Sequence, residues 1–309
     1  MKSLLEGIVN GDSTKFDALI ETVQTSVSIG STSATCHFHC ICLDGNGRPK
    51  TGVLIDYLIS CLVDYAIPRK RISEALEHSK TNNSFEMGAS LVSEAKGLFT
   101  REKTTGEGGE LILYLFAEKL LKLPQLACKM NLKTSTAMHV HGADGLHVGV
   151  DEDKNKLCLY WGESKFHASV NNAISKCMKS IAPLLNSTSE AGSAGHRDIQ
   201  ILQQYLNVDN PELEIVLKNY LNPDHKNFNS VEFRGLCVVG FDSAAYPATP
   251  NTQSMAQVKL ELISELNKLQ NNIENRIIAE KIKSFSIHVF LLPFPSLSVF
   301  REDFIKKLI

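Results

Sequence analysis

Two strand-forming runs in this chain lie so close together that their pairing is almost dictated. Residues 157–165 read Leu157-Cys158-Leu159-Tyr160-Trp161-Gly162-Glu163-Ser164-Lys165, rich in the apolar and aromatic types that favour strands. Residues 145–150, Gly145-Leu146-His147-Val148-Gly149-Val150, form a shorter strand candidate. The polar stretch Asp151-Glu152-Asp153-Lys154-Asn155-Lys156 between them suits a turn. Folding the segment about the Asp153/Lys154 bond sets Val150 opposite Leu157 and Asp144 opposite Glu163. Directly opposed residues have Cβ atoms about 5 Å apart. Lys165, two residues beyond Glu163, projects from the same sheet face. A slip of one residue would move every side chain to the other face, so the expectation depends on this register.

Opposed carboxylates repel and are normally avoided across a strand pair. A bound divalent cation reverses that penalty. Hard cations such as Mg²⁺, with Mn²⁺ as an alternative, take oxygen ligands and retain waters, which leaves room for a phosphate and a nucleophile. Such a cation polarises a phosphoryl oxygen and lowers the pKa of bound water. A lysine beside it can orient the attacking water or offset developing charge. Asp144 and Glu163 are therefore expected as metal ligands and Lys165 as their cationic companion.

A fourth acid comes from a helix start. Thr104-Thr105-Gly106-Glu107-Gly108-Gly109 leads into Leu111, Ile112, Leu115, Phe116 and Leu120 at helical spacing, which places Glu110 in the first turn. A carboxylate there is favoured by the helix dipole whether or not it does chemistry. Considered with the hairpin, Glu110 is expected to bind the metal or orient the site, with Glu107 as a competitor. His141 and His167 are second-tier candidates whose ordinary alternative is local hydrogen bonding.

Gly109-Glu110, Asp144 and Glu163-Ser164-Lys165 resemble the helix glutamate, acidic strand residue and E-x-K of the PD-(D/E)XK nuclease superfamily. An E-x-K tripeptide alone is common; the ordered set with its intervening elements is far more specific. Ala143 stands where the superfamily's name has proline. The wider pattern resembles the HamA family, the small nuclease subunits of Hachiman anti-phage defence systems. That resemblance rests on Gly109-Glu110-Leu111-Ile112-Leu113-Tyr114, His141-Gly142-Ala143-Asp144-Gly145-Leu146-His147-Val148 and Tyr160-Trp161-Gly162-Glu163-Ser164-Lys165. It runs from about Arg48 to the C-terminus and is clearest over residues 106–178. It implies a Mg²⁺-dependent DNA nuclease acting as an effector, restrained by a large helicase subunit until damaged or invading DNA is sensed. A nuclease working without a helicase, or an inactive module binding DNA or protein, would use the same fold.

Charge sets weaker bounds. The 309 residues carry a net charge of −2, so no global basic field advertises nucleic acid. Lys129, Lys133, Lys176 and Lys179 are candidates for a local phosphate-contacting groove, against the ordinary alternative of a solvated face. The N-terminus soon becomes charged and no apolar run is long enough to span a bilayer, so the expectation is a cytoplasmic protein. In Cys36-His37-Phe38-His39-Cys40-Ile41-Cys42, strand alternation sends cysteines and histidines to opposite faces. That disperses a tetrahedral zinc set and favours a buried strand. His139 and His141 are expected to hydrogen-bond near the site or to contact DNA rather than bind zinc. No GxxxxGK[ST] nucleotide loop occurs, so ATP-driven translocation would need another polypeptide.

The fold expected is α/β: a PD-(D/E)XK nuclease-like core with a central mixed β-sheet flanked by helices, and an N-terminal α/β extension. The expected division is 1–96 for the N-terminal region and 97–309 for the core, with a helical insertion at about 187–228. Residues 1–45 suggest a helix followed by the Cys/His strand, and Val53–Ala66 is ambiguous between helix and strand. Ala168–Leu185 carries an amphipathic stripe suited to packing on the sheet. Residues 196–221 suggest a polar helical segment, and Gly235–Phe241 a buried strand. A long helix with Leu262, Leu266, Leu269, Ile273 and Ile277 on one face, a strand at 284–292 and a terminal helix follow.

Overall fold

The computed structural model describes residues 1–99, 106–132, 142–154, 156–188, 190 and 192–308. Lys133, His139 and His141 lie outside the described residues. In chain order the elements are α1 (Lys2–Glu6), α2 (Thr14–Asp17), β1 (Ile20–Ser28), β2 (Ala34–Ile41), α3 (Thr51–Ser60), α4 (Leu62–Ala66), α5 (Arg69–Asn82), α6 (Glu86–Gly97) and α7 (Glu107–Leu120). They continue with β3 (Gly145–Asp151), β4 (Lys156–Phe166), α8 (Val170–Asn186), α9 (Ala194–Gln204), α10 (Pro211–Leu221), β5 (Val231–Asp242), α11 (Met255–Ala279), β6 (Ile287–Phe294) and α12 (Leu297–Leu308). Short 3₁₀ turns lie at Lys129–Leu132 and Lys226–Ser230.

The strands form one six-stranded mixed sheet in the order β1-β2-β6-β5-β4-β3. β2, β6, β5 and β4 run parallel, and antiparallel hairpins close both edges through β1 and β3. The expected α/β class with a central mixed sheet is what the chain adopts. The strands of the N-terminal region join the same sheet through the β2–β6 pairing, so the sheet runs without a break across residues 96 and 97. Parallel strands covered on both faces are nearly continuously apolar, as in the buried run Leu157–Trp161 of β4 and Leu236–Val239 of β5.

Helices cover both faces. α8 packs across β4 and β5, with Ile181 lying over Gly235 and Cys177 beside Cys237. α7 packs on the opposite face, where Phe116 meets Phe290 and His39, and Leu113 lies over Gly162. α9, α10 and the 226–230 turn occupy the connection between α8 and β5. Val53–Ala66 resolves as two helices, α3 and α4. The polar segment 196–221 is likewise two helices, α9 and α10, rather than one. No described helix is long and apolar enough to cross a membrane.

The N-terminal reading needs one correction. Where a helix was expected before the Cys/His strand, the chain has two short helices and then the edge strand β1. Its sequence alternates β-branched residues with Glu21, Gln24 and Ser26, and much of it is exposed. Two irregularities in its pairing with β2 and a left-handed Ser26 (φ 56°) blur the two-residue period further. Such bulges are a usual way to blunt an open sheet edge.

A buried polar knot ties the far end of α7 to distant segments. Glu118 is fully buried and accepts hydrogen bonds from the backbone N–H of Asn10 at 2.7 Å and of Gln125 at 3.0 Å. The Arg69 guanidinium stands 3.3 Å from its carboxylate and donates to the Asn10 side chain at 2.8 Å. Burial pushes the Glu118 carboxyl up, against the opposing pull of Arg69.

Four histidines share the sheet face under α7. His37 lies against Phe290 and within 3.0 Å of His288, and His39 is beside it. His147 on β3 hydrogen-bonds through Nδ1 to the Leu123 carbonyl at 3.0 Å. Burial holds all four rings well below the usual range, at about 4. The unfolded chain protonates them near 6.5, so folded stability is intact above that pH and falls as pH drops from 6.5 toward 4. The shift at fully buried His147 corresponds to roughly 3 kcal/mol at the acid limit. Urea unfolding followed by circular dichroism should therefore show a steep loss of stability across this window, and His147→Gln should flatten it. A flat profile between pH 6.5 and 4.5 would contradict the neutral buried rings.

Candidate active site at the mouth of the β3–β4 hairpin

The hairpin forms in the register expected from the sequence. Val150 pairs with Leu157 and Gly145 with Gly162, which makes Asp144 and Glu163 the next opposed residues. The Asp144 backbone N–H donates to the Gly162 carbonyl at 2.8 Å, extending the ladder by one rung. Glu163 lies toward the C-terminal end of β4, the end of a parallel strand where α/β proteins commonly place their sites.

Asp144, Glu163 and Lys165 come together. Lys165 Nζ lies 2.7 Å from Glu163 Oε2 and 3.5 Å from Asp144 Oδ2. The carboxylate of Asp144 is also fixed by Ser164, which donates from its backbone N–H at 2.8 Å and its hydroxyl at 3.1 Å. The Glu163 side chain is only 5% exposed, against 29% for Lys165 and 21% for Asp144. Burial, reinforced by the charge of Asp144, pushes the Glu163 carboxyl up to about 8. Burial works to discharge Lys165 as well, but the charges of Asp144 and Glu163 outweigh it and hold the amine above its usual range. At neutral pH Glu163 therefore keeps its proton beside a Lys165 ammonium.

Glu110 occupies the first turn of α7, as expected, together with Glu107. Its Oε2 accepts a hydrogen bond from the Tyr65 hydroxyl at 3.2 Å. Tyr65 is the residue that sequence reasoning missed. It comes from α4, and its hydroxyl is held far above the usual range, by burial first and then by the charges of Glu110, Asp144 and Glu107. α7 docks closely onto the end of β4. A Cβ on Gly109 would sit 3.1 Å from the Phe166 ring and 3.3 Å from Ser164 Oγ, tight enough that both side chains would have to shift for the helix to start so near the site.

The arrangement has a consequence for metal binding. By the alternation of the strand, Glu163 and Lys165 project toward the α8 face, while α7 and Glu110 lie on the other. Among the described residues no three His, Cys, Asp or Glu side chains form a metal-holding group. The opposed pair Asp144 and Glu163 nonetheless fits a hard cation of the Mg²⁺ type, which binds through one or two carboxylates and keeps several waters. A cation there would replace the Glu163 proton as the charge that makes the pair tolerable.

Other candidates resolve into supporting roles. His167 accepts from the Ser169 backbone through Nδ1 at 3.1 Å, a local hydrogen bond. Lys129 is no solvated phosphate contact: it is buried and paired with Asp198 at 2.6 Å. Its apolar neighbourhood, Ala127, Cys128 and Met130, was the available signal of burial. Lys176 and Lys179 are exposed on α8. All eight cysteines are free thiols, with Cys177 donating to the Glu163 backbone carbonyl at 3.5 Å. A cavity of about 460 Å³ lined by Asp44, Asn251 and Gln257 includes none of the hairpin acids.

The raised Glu163 carboxyl has a signed effect on stability. Unfolded, the group ionises near 4.5; folded, it resists ionisation until about 8. The folded state binds the extra proton between these values, so stability is greatest below pH 4.5 from this source and declines as pH rises toward 8. In buffer with a chelator, Glu163→Gln should be more stable than the wild type at pH 8.5 by about 1–3 kcal/mol, and this advantage should vanish near pH 5. Equal urea midpoints for the two proteins at pH 8.5 would show that Glu163 ionises there without strain.

A sequence model of the HamA family matches residues 16–308, nearly the whole chain. No curated protein matches it. The matched span contains every strand of the sheet and all four residues of the candidate site, Glu110, Asp144, Glu163 and Lys165. The chain accordingly belongs to the HamA family, a component of Hachiman defence systems.

Proposed function

We propose that this chain is a Mg²⁺-dependent deoxyribonuclease, with Mn²⁺ able to substitute, and that it serves as the effector subunit of its defence complex under the restraint of a helicase partner. The observation that carries the reading is the meeting of Asp144, Glu163 and Lys165 at one hairpin mouth. Family membership supports the defence role.

In this mechanism Asp144 and Glu163 hold the cation. When bound, the cation supplies Lewis-acid polarisation of a phosphoryl oxygen and a water of lowered pKa. Ser164 fixes the Asp144 carboxylate by two hydrogen bonds, so its direction is set before substrate arrives. Glu163 must release its proton to serve as a ligand, which makes cation affinity rise with pH toward about 8. Lys165 keeps its ammonium charge beside both carboxylates, where it can orient the attacking water or offset charge on the phosphoryl group. Glu110, held by Tyr65 at the start of α7, orients the second side of the site and would act on the cation through a bridging water.

The test uses wild type and Glu163→Ala/Lys165→Ala with linear and plasmid DNA, Mg²⁺ or Mn²⁺, and the helicase present or absent. The wild type should cut only when the helicase and its DNA trigger are present, and the double variant should lose at least about 10³-fold in rate. Cutting by wild type alone would indicate a self-sufficient nuclease. Equal behaviour of the two preparations would leave the chain as an inactive binding module.

A further inference from the structure

We infer that the buried Lys129–Asp198 ion pair is a positioning device for Asp144, gripping the backbone N–H and C=O of Ala143 and so fixing the direction of the next side chain. This rests on the proposed role of Asp144. Asp198 Oδ2 accepts from the Ala143 backbone N–H at 3.0 Å. Asp198 Oδ1 lies 2.6 Å from Lys129 Nζ, and Lys129 Nζ donates to the Ala143 carbonyl at 2.8 Å. The three bonds close a ring around one residue, and the residue after it is Asp144. The Asp198 side chain is fully buried and that of Lys129 is 9% exposed, so water does not compete for these bonds.

The preceding residue is shaped to the same device. Gly142 has φ +125°, and a Cβ there would overlap the Asp198 carboxylate. The Gly142-Ala143-Asp144 sequence thus has a reason at each position: no side chain where Asp198 enters, a gripped peptide, then the acid. Asp198 belongs to α9, in the connection between α8 and β5. That helix is tied down by its Ser193 cap and by the close approach of Gly195 to Thr188 and the Leu184 carbonyl. Lys129 comes from the 3₁₀ turn after α7. Two elements outside the hairpin therefore hold its mouth.

Energetics favour a directing role over a stabilising one. Burying two charges costs several kcal/mol per ion, and apolar replacements of such pairs are often neutral or stabilising. What an apolar pair cannot do is bond both the N–H and the C=O of Ala143, and so fix the two peptide planes that flank its Cα.

The test compares wild type, Lys129→Met/Asp198→Leu, Asp198→Asn and Asp144→Asn, using Mn²⁺ titrated by calorimetry and amide hydrogen exchange. The apolar double variant should keep the wild-type circular dichroism spectrum and bind Mn²⁺ about 10- to 100-fold more weakly, the usual effect of losing the groups that orient a ligand. Asp198→Asn, which can accept only one of the two donors, should fall between and serves if the double variant does not fold. Exchange at the Ala143 and Asp144 amides should quicken at least about tenfold, while Val148 stays protected as in wild type. A folded double variant with wild-type Mn²⁺ affinity, or with unchanged exchange at both amides, overturns the proposal. Wild-type affinity in Asp144→Asn instead overturns the site reading itself, and the proposal with it.

Discussion

Two carboxylates held face to face in a region that excludes most water set the terms for this structure. Sheets ordinarily keep such residues apart, because like charges directly opposed weaken a strand pair. Here the hairpin register forces them together and burial removes the solvent that would screen them. The strain is relieved by a proton kept on Glu163 and by the Lys165 ammonium between the two acids. Everything nearby serves that compromise. Ser164 fixes the Asp144 carboxylate by two hydrogen bonds, the bare Cα of Gly109 lets α7 start against β4, and Tyr65 gathers Glu110 at the same end of the sheet.

The hairpin was legible in the sequence because it is local. Register follows from the strand period and a polar turn, and no distant contact can shift it without inverting the pleat. The start of α7 and the run of α8 were legible for the same reason: apolar residues at helical spacing and a glycine-rich approach. What lay outside reach was contact between segments far apart in sequence. Tyr65 reads as one more apolar residue of a buried stretch until α4 is seen against α7. Lys129 and Asp198 are sixty-nine residues apart, and nothing local marks either as the other's partner. β1 was lost for a different reason, since an edge strand with one wet face and two bulges carries too little apolar pattern to announce itself.

Membership of the HamA family and the geometry of the hairpin bear on different questions. The family places the chain in a defence system. The hairpin supplies a chemical reason for the spacing of Asp144 and Glu163-Ser164-Lys165, independent of any relative. An acid pair without a third neighbouring ligand still fits a hard cation, because a six-coordinate ion can take most of its oxygens from water.

The knot around Glu118 carries this logic to the start of the chain. Its carboxylate sits at the far end of the helix that begins with Glu107 and Glu110, and one of its donors is the backbone of Asn10. Nicking the polypeptide near Gly11 would leave a desolvated acid short of a donor and loosen the floor on which that helix rests. A protease acting at the amino end would in this way blunt the opposite end of the same rod, without touching a single residue of the hairpin.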